Sequence, residues 1–427
     1  MGIIKNYDSL CTSDNRKIVL DLIEEGLKET SPDILIKKMV NINGDTVKIQ
    51  NTQINLNEYK RVFLVGFGKG SSLISQLIIN LIGEDRITKG FIIDLISRHF
   101  SDKITFTIGD HPISSENNFL FTENVLRSTE NLTQEDLVIV ITCGGGSSLF
   151  ELPDKINFAR KIEIDKALMK SGADIYQLNT IRKHLSQVKG GGFAKHIYPA
   201  RVVNLIFSDV LGNDLSFIAS GPTVMDNTTI DDALELIQKF DLDRQFELSR
   251  KELTKTPKEE KYFENVSNFL IEDNMVPLSA IKSMAEKKGI TVSILTDRLK
   301  GEASTMGRYL IEETKSGTIL LAGGETAVTV RGNGIGGRNQ ELVLGSLPHL
   351  DENTVIASFG TDGWDNSPYD GAIADLSTFN KAQKLDVNPL LYLENNDSYH
   401  FFEKIGDGID TGKLESNVSD IMIVLKK

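Results

Sequence analysis

Short apolar runs that end in glycine or a polar turn recur along the chain, and helical patterns follow them. Examples are Arg61–Gly66, Leu137–Thr142 and Arg201–Phe207. Such runs are typical of buried strands, and strands that alternate with helices indicate a mostly parallel sheet with helices on both faces. The sequence therefore predicts an α/β fold whose ligands lie beyond the carboxyl ends of the strands.

A change in composition divides the chain. Leu242–Glu264 is rich in Lys, Glu and Thr, contains Pro257 and has little apolar periodicity, which indicates a linker or an exposed connection. We expect a larger N-terminal Rossmann-like domain over residues 1–255 and a smaller C-terminal α/β domain over residues 256–427. In the second domain, Ala327–Arg331 is predicted to be a strand because its β-branched residues alternate.

Composition excludes some classes of partner. The 427 residues carry a formal net charge of −13, so the overall field does not attract nucleic acid or anionic membrane. No apolar run approaches the roughly 20 residues of a membrane span. Two distant cysteines, Cys11 and Cys143, do not suggest a disulfide framework or a zinc site. We expect a cytoplasmic monomer or homodimer that binds small molecules, without nucleic-acid or membrane partners.

The loop VGFGKGSS follows the first of these strands. Glycine lets the backbone approach a ligand, and a helix N-terminus favours anions, so Gly66 and Gly68 are candidate phosphate contacts. Lys69 adds a positive charge there. The spacing matches neither the Walker A motif nor the complete dinucleotide fingerprint. A tight turn with a surface lysine explains this loop equally well.

A second loop, TCGGGSSLF, follows the strand Leu137–Thr142. Its candidate phosphate-binding residues are Gly144, Gly145, Gly146, Ser147 and Ser148. The serines can cap the next helix and donate to phosphate. The loop lacks the GxSxG elbow of an acyl-transfer serine. A phosphate cradle is therefore favoured over a plain turn.

Charged residues lie in other loops. Arg182 and Lys189 are seven residues apart and would share one face of a helix, where they could clamp a substrate carboxylate or phosphate. His184 between them could act as a base. Asp209 and Asp362 follow predicted strands, where hard oxygen ligands suit magnesium. Ordinary alternatives are a solvated helix face, a structural histidine and turn formation by the aspartates.

The stretch AGGETAVTVRGNGIGGRNQE adds Gly336 and Gly337 as candidate nucleotide contacts and Arg338 at the start of a helix. Phosphoryl transfer needs distributed cations, a metal held by carboxylates and backbone donors. The chain supplies all three, which predicts a small-molecule kinase. Two alternatives stay open: a nicotinamide-dependent oxidoreductase that uses Glu84 or Asp85 for the ribose, and a non-catalytic sugar-phosphate sensor.

These motifs resemble the glycerate 2-kinase family, in which a glycerate-kinase domain precedes a small MOFRL domain. The resemblance is carried by GFGKGSS, GDHP, CGGGSSLFELP, LNTIRKHLSQVKGG, SDVLGND, IASGPT, AGGETAVTVRGNGIGGRNQEL and GTDG. It implies phosphorylation of D-glycerate to 2-phosphoglycerate with ATP and Mg²⁺, in a cleft between the domains. It also implies that Lys69 and Arg338 are catalytic cations, and that Asp209 and the loop Gly144–Ser148 bind nucleotide, metal or phosphate. In the mechanism that we expect, Asp209 is also catalytic: with Asp362, it holds Mg²⁺ or orients the attacking 2-hydroxyl.

The sequence departs from the family pattern at two places. Residues 412–417 read GKLESN, where the family commonly has GPTGTN, and the loop has lost glycine and threonine donors. Residues 113–115 read ISS after the GDHP motif, where the family often has a proline and an acidic residue. These differences bear on the preference for substrate or nucleotide and not on the fold.

Overall fold

The computed structural model describes residues 2–210 and 212–427. Met1, in the predicted first domain, and Leu211, in the SDVLGND motif, lie outside the described residues. The strands are β1 Val40–Asn43, β2 Thr46–Ile49, β3 Thr52–Asn55, β4 Arg61–Phe67, β5 Lys89–Asp94, β6 Ile104–Ile108, β7 Asp136–Thr142, β8 Arg201–Phe207, β9 Val266–Glu272, β10 Thr291–Leu299, β11 Thr318–Gly324, β12 Thr354–Gly360, β13 Gly371–Asp375, β14 Gly408–Ile409 and β15 Asp420–Lys426.

The α-helices range from single turns to four turns. They are α1 Tyr7–Leu10, α2 Asp14–Glu29, α3 Pro32–Met39, α4 Ser71–Ile82, α5 Glu116–Ser128, α6 Gly146–Leu149, α7 Phe158–Lys170, α8 Ile175–Lys183, α9 Gly192–Ile197, α10 Ile230–Lys239, α11 Leu242–Phe246, α12 Met275–Lys287, α13 Ala303–Glu313, α14 Arg338–Ser346, α15 Leu376–Lys384, α16 Pro389–Glu394 and α17 Ser398–Ile405. No described helix is long and apolar enough to cross a membrane.

The described residues form two compact units. Ile36–Ile271 is here called the larger domain. The segment that ends at Leu35, together with Glu272–Lys427, is called the smaller domain. The predicted α/β class and two-domain organisation are confirmed.

The larger domain contains a six-stranded sheet in the order β6-β5-β4-β7-β8-β9. The pairs β4–β5, β5–β6, β4–β7 and β7–β8 are all parallel. This order is that of the dinucleotide-binding doubly wound fold. Alternate residues of β4 enter different cores, with Leu64 packed among residues of α4 and β1–β3, and Val65 packed among residues of α5 and α9. The sheet is therefore covered on both faces, as predicted.

The smaller domain contains a six-stranded sheet in the order β10-β11-β15-β12-β13-β14. Only β10 and β11 pair in parallel, and β15 lies antiparallel between β11 and β12. One face packs against α2 and α12 and the other against α13, α14 and α17. Helix α2 presents Val19, Ile23 and Leu27 to the core that contains Leu278 and Ile281 of α12.

The two units differ from the sequence-based ranges 1–255 and 256–427. The N-terminal helix α2 belongs to the smaller domain because its apolar face is buried against α12. The stretch Leu242–Glu264 was predicted to be a linker, but Leu242, Leu248 and Leu253 are buried in a core of the larger domain. Spaced leucines can bury a segment that lacks regular periodicity.

The predicted strand Ala327–Arg331 is wrong. Ala327 forms one isolated parallel bridge with Glu302, and no strand continues from it. Val330 is 75% exposed, so the β-branched residues of this segment do not alternate between a core and solvent. β-Branched residues favour extended backbone, but a strand also needs neighbours to receive its hydrogen bonds.

Candidate functional site

Two glycine-rich loops meet at the carboxyl ends of β4 and β7 in the larger domain. These adjacent strands are where the strand order reverses, and ligands of doubly wound folds bind at such a point. Backbone hydrogen bonds join the loops: the Lys69 amide donates to the Gly144 carbonyl at 2.8 Å, and the Cys143 amide donates to the Phe67 carbonyl at 3.0 Å.

Glycine is required where these loops touch their surroundings. A Cβ on Gly68 would overlap the Cys143 carbonyl, and a Cβ on Gly144 would overlap the carboxylate of Asp209. Gly68 also has a φ of 109°, which side chains rarely adopt. The sequence GFGKG is thus explained by close contact with the second loop and CGGG by the approach of Asp209.

The loop Gly144–Ser148, here called the glycine loop, is surrounded by polar side chains. The position that a Cβ of Gly145 would occupy lies 3.1 Å from Cε of Lys69 and 2.9 Å from Cδ2 of His111. Within the part of the chain that the structure describes, the amides of Gly144 and Gly145 donate no hydrogen bond. A cation, an imidazole and a carboxylate therefore flank two available backbone donors.

The pKa values of Asp209 and His111, which both lie beside this loop, are shifted in opposite directions. Burial raises the pKa of Asp209, and the positive charge of Lys69 opposes this effect. Burial lowers the pKa of His111 to about 4, with further contributions from Lys69 and Arg182. The His111 ring is accordingly neutral at pH 7, while Lys69 and Arg182 give the site a positive field.

The serines of the glycine loop have partners inside the domain. Ser147 Oγ lies 2.9 Å from Ser220 Oγ, and Ser148 Oγ donates to the Gly145 carbonyl at 3.1 Å. Ser220, at a φ of 61°, donates in turn to Asn179 at 2.5 Å. These bonds fix the shape of the loop. The predicted phosphate-binding roles of Ser147 and Ser148 stay predictions.

The helix that follows the first loop does not offer its N-terminus to a ligand. The amides of Gly70 and Ser72 donate to the carboxylate of Asp94 at 3.2 and 3.0 Å. A Cβ on Gly66 would lie 2.6 Å from Ser75 Oγ, so this glycine allows α4 to pack closely on β4. Binding by Gly66 and Gly68 stays a prediction, but two amides at the start of α4 already donate to Asp94.

The prediction that Arg182 and Lys189 share a helix face is wrong, because α8 ends at Lys183. Lys189 is buried, donates to the Phe150 carbonyl at 3.0 Å and pairs with Glu151 at 3.0 Å. A lysine with these two internal partners is poorly suited to bind a substrate. Arg182 differs, because its side chain is 12% exposed and its Nε lies 3.4 Å from Asp165.

A buried charge network lies behind Arg182. Lys161 pairs with Glu151 at 3.1 Å and with Asp165 at 2.6 Å. Although burial opposes it, the positive charges of Lys161 and Lys189 lower the pKa of Glu151 to about 2. The network holds Asp165 beside Arg182 and thereby orients the arginine.

His184 is a structural residue. Its Nδ1 lies 2.8 Å from the Thr254 carbonyl and its Nε2 lies 3.2 Å from Thr228 Oγ1. Burial lowers the pKa of this histidine. Since both ring nitrogens have partners within the domain, the sequence-based alternative of a catalytic base is not supported by the geometry.

In the smaller domain, Arg338 is held by two carboxylates. Its Nε and Nη2 donate to Asp420 at 2.5 and 3.1 Å, and its Nη1 lies 2.7 Å from Glu325. Although burial acts in the opposite direction, the hydrogen bond to Asp420 raises the pKa of Arg338. The side chain as a whole is 35% exposed.

Asp362 and Asp365 have different roles beside Arg338. Asp365 is buried and accepts from the amides of Asn339 and Gln340 at 3.2 and 2.9 Å, which caps α14. Asp362 accepts from the Trp364 amide at 3.1 Å, and burial raises its pKa. The part of the chain that the structure describes contains no group of three acidic, His or Cys residues arranged to hold a metal ion.

The glycines of the stretch before α14 are packed against a neighbouring segment. The amides of Arg331 and Gly332 donate to Asn396, and the amide of Ile335 donates to Asp397. A Cβ on Gly336 would overlap Ser398, and a Cβ on Gly337 would overlap Asp365. The binding roles of Gly336 and Gly337 stay predictions.

The altered loop 412–417 is also integrated into the smaller domain. The Leu414 amide donates to the Asp362 carbonyl at 2.8 Å, and Nζ of Lys413 lies 4.9 Å from the ring centre of Trp364. The departure from the family pattern therefore lies beside Asp362, one of the predicted metal ligands.

Sequence reasoning missed two kinds of residue at these loops. His111 was noted only as part of GDHP, although its position just beyond β6 is where a doubly wound sheet places ligand contacts. Asp94 and Asp365 were missed because an aspartate that caps a helix distant in sequence has no local signature. Asp420, the partner of Arg338, was likewise 82 positions away in sequence.

Comparison with known proteins identifies the family. Two family models match: a domain of unknown function, DUF4147, over residues 18–254, and the MOFRL family over residues 318–420. D-glycerate 2-kinase of Thermotoga maritima is 36% identical, over 96% of this chain and 98% of that protein. Glycerate 2-kinase of Picrophilus torridus is 36% identical, over 99% of both chains.

A solved structure agrees with this result. The crystal structure of glycerate kinase from Thermotoga maritima superposes with a TM-score of 0.86 at 35% identity, and the match covers 96% of this chain and 99% of that one. Sequence and fold thus agree over nearly the whole length. The chain belongs to the glycerate 2-kinase family.

Proposed function

We propose that this protein is a phosphotransferase that uses ATP to phosphorylate the 2-hydroxyl of D-glycerate, with 2-phosphoglycerate as the product. The proposal rests on family membership together with one observation in the larger domain. Lys69 and Asp209 flank the glycine loop, which lies at the point where the strand order reverses. The loop itself offers the amides of Gly144 and Gly145 as donors. Kinase catalysis consists mainly of positioning and of stabilising charge on the transferring phosphoryl group.

Each residue then has a chemical task. Lys69 and the amides of Gly144 and Gly145 stabilise negative charge on phosphoryl oxygens. Arg182, oriented by Asp165, pairs with the carboxylate of the acceptor. Arg338 is proposed as a second catalytic cation, because its side chain is 35% exposed although Asp420 and Glu325 hold its guanidinium. Lys189, assigned to substrate from the sequence, acts instead in the network that orients Arg182.

Magnesium is part of the proposal. Mg²⁺ commonly binds through one or two carboxylates together with substrate phosphates, and the single carboxylate of Asp209 beside the glycine loop suits that arrangement. Mg²⁺ would neutralise phosphate charge there. Asp362 in the smaller domain stays the second predicted ligand.

The test is an assay with ATP, Mg²⁺ and D-glycerate in which phosphorus NMR resolves the product. We expect a 2-phosphoglycerate signal. A 3-phosphoglycerate signal would refute the regiochemistry alone. If folded protein consumed no ATP but bound sugar phosphates, the sensor alternative would replace the kinase. A fluorescence titration with NADH provides the corresponding test of the oxidoreductase.

The role of Arg338 is tested by substitution with Ala. Loss of a transition-state cation lowers turnover by roughly 10³-fold in related chemistry. The control is Arg298→Ala, because Arg298 is 62% exposed and pairs with its neighbour Asp297. Since Arg338→Ala also leaves Asp420 without its partner, the unfolding temperature is measured in parallel. Near-normal turnover of Arg338→Ala would remove this residue from the mechanism.

A further inference from the structure

His111 lies at the glycine loop without a hydrogen-bond partner. Within the described ranges, neither ring nitrogen forms a hydrogen bond to the protein, and the residue reaches solvent although the surrounding protein partly buries its ring. The buried His184 and the half-buried His196 both place a ring nitrogen within 2.9 Å of a carbonyl oxygen. His111 is therefore available for a ligand in a way that these two histidines are not.

The ring is oriented with one edge towards the loop. Its Cδ2 and Nε2 atoms lie 2.9 and 3.2 Å from the position that a Cβ of Gly145 would occupy. Lys69 Cε lies 3.1 Å from the same position. An anion that accepted hydrogen bonds from the Gly144 and Gly145 amides would consequently have Lys69 and the Nε2 edge of His111 beside it.

We propose that His111 is a ligand of the anion held by the glycine loop, and that it takes up a proton when this anion binds. The ring donates through Nε2–H to an oxygen of the anion, which is a phosphoryl group or a group of the same shape and charge. The inference rests on the proposed function only for the identity of the physiological anion. The inference does not depend on a catalytic role of Lys69 or Arg338.

The charges around the ring explain the coupling. Lys69 and Arg182 face His111, Asp110 precedes it, and Asp209 lies across the glycine loop. In the free protein, burial and the two cations lower the pKa of His111 to about 4. A bound dianion neutralises the cations and accepts a hydrogen bond from the imidazolium, and both effects raise this pKa. Anion affinity must then rise as pH falls, because binding and protonation are linked.

Inorganic sulfate is a suitable probe because its charge is constant between about pH 5 and 8, where phosphate itself titrates. The His111 ring is titrated by NMR with and without saturating sulfate. We expect sulfate to raise the pKa by about two units, from about 4 to about 6, which corresponds to a roughly tenfold gain in linked affinity at pH 5. An unchanged pKa would overturn the proposal.

Three variants separate a direct ligand from an indirect electrostatic effect. His111→Ala should weaken sulfate binding about tenfold at pH 5. His111→Gln keeps a donor but does not titrate, so its affinity for sulfate should rise less steeply than that of the wild type as pH falls. His99→Gln, at another exposed histidine of the same domain, should behave as the wild type. Wild-type affinity of His111→Ala at pH 5, or wild-type pH dependence of His111→Gln, would refute the role.

The sulfate experiments do not depend on turnover. If the wild type phosphorylates glycerate but sulfate leaves His111 unchanged, only the histidine inference fails. If sulfate shifts His111 but no phosphoryl transfer to glycerate occurs, the proposed function fails and the anion site stands.

Discussion

The two glycine-rich stretches of this protein have similar compositions but different physical reasons for their glycines. In the larger domain, the side chains of Lys69, His111 and Asp209 lie beside the glycine loop, and the Gly144 and Gly145 amides have no acceptor among the described residues. In the smaller domain, the amides of Arg331, Gly332, Asn333, Gly334 and Ile335 all donate to the segment Asn395–Asp397. The first stretch retains donors for a ligand, whereas in the second these five amides hold the fold.

Glycine content alone therefore does not identify a phosphate site. What distinguishes the two stretches is where the amide donors go and which charges surround them. Two buried acidic residues, Glu151 in the larger domain and Asp370 in the smaller domain, differ in their pKa. Glu151 in the larger domain is ionised and paired with lysines, whereas burial raises the pKa of Asp370 in the smaller domain to about 8.

The largest expected effect is on catalysis in the larger domain. Lys69→Met should lower kcat by roughly 10³-fold, since a cation that stabilises the transferring phosphoryl group is lost. Lys69 is exposed and forms no ion pair with another described residue, so the unfolding temperature of the variant should stay close to that of the wild type. Lys60→Met, at an exposed lysine paired with Glu135, is the matched control. Equal kcat values for the two variants would contradict a chemical role for the loop.

The two stretches should respond differently to an added methyl group. Gly144→Ala displaces Asp209 and should lower kcat by about 10²-fold, because misplacement of about 1 Å has that effect at reacting centres. Gly334→Ala meets Asp397 and the Asn395 carbonyl and should mainly lower the unfolding temperature. Steady-state kinetics and thermal unfolding are measured on both variants. If Gly334→Ala impaired kcat as much as Gly144→Ala did, the assignment of a ligand-binding role to the first stretch and a structural role to the second would be wrong.

The pH dependence of stability should differ between the two buried acids. The folded-state pKa of Asp370, about 8, lies above its unfolded value of 3.8, so its stabilising contribution is complete below pH 3.8 and is lost as pH rises through 8. Asp370→Asn, which has no charge to bury, should be more stable than the wild type by on the order of 2 kcal/mol at pH 8, with little difference at pH 4.

Glu151→Gln should show the opposite trend. The folded-state pKa of Glu151, about 2, lies below its unfolded value of 4.5, so its contribution is present above pH 4.5 and is lost as pH falls through 2. The variant should be destabilised at pH 7. Denaturant unfolding of all three proteins across pH checks both signs, and parallel curves for the two variants would refute the assignment of their protonation states.

The smallest effect is expected for the hydrogen bonds of the second stretch. Asn396 accepts from the amides of Arg331 and Gly332 at 2.7 and 3.0 Å and has a φ of 52°. Asn396→Gly keeps that backbone conformation accessible, so the loss of about 1–2 kcal/mol reports on the missing acceptor. Unfolding of the wild type and the variant in urea measures it. A kcat loss without a stability loss would show that this stretch has a chemical role after all.

Local patterns predicted much of the larger domain correctly. The strands Arg61–Phe67, Asp136–Thr142 and Arg201–Phe207 are continuous apolar runs that a doubly covered parallel sheet requires, and the glycine loops lie at their ends. The candidate site followed from that arrangement, because parallel strands bring their carboxyl ends to one edge. The position of Lys69 beside Gly145 agrees with this expectation.

Local sequence patterns do not predict which residues pair when they are far apart in the chain. The sequence around Arg338 does not indicate that its guanidinium donates to Asp420. The sequence around Gln340 likewise does not indicate that its amide donates to Asp365. Lys189 was placed on a helix with Arg182 because spacing assumes a continuous helix, whereas α8 ends at Lys183. In each case the decisive partner is distant in the chain, so local periodicity carries no information about it.

The position of β15 has a consequence for biosynthesis. This strand, Asp420–Lys426, lies between β11 and β12, so the sheet of the smaller domain is incomplete until the strand has been synthesised. Helix α2 is synthesised about 400 residues earlier, and its apolar face packs against α12 of the same domain. The leucines and isoleucines of α2 therefore stay without their native core until α12 has been synthesised, whereas the larger domain forms from one continuous segment of chain.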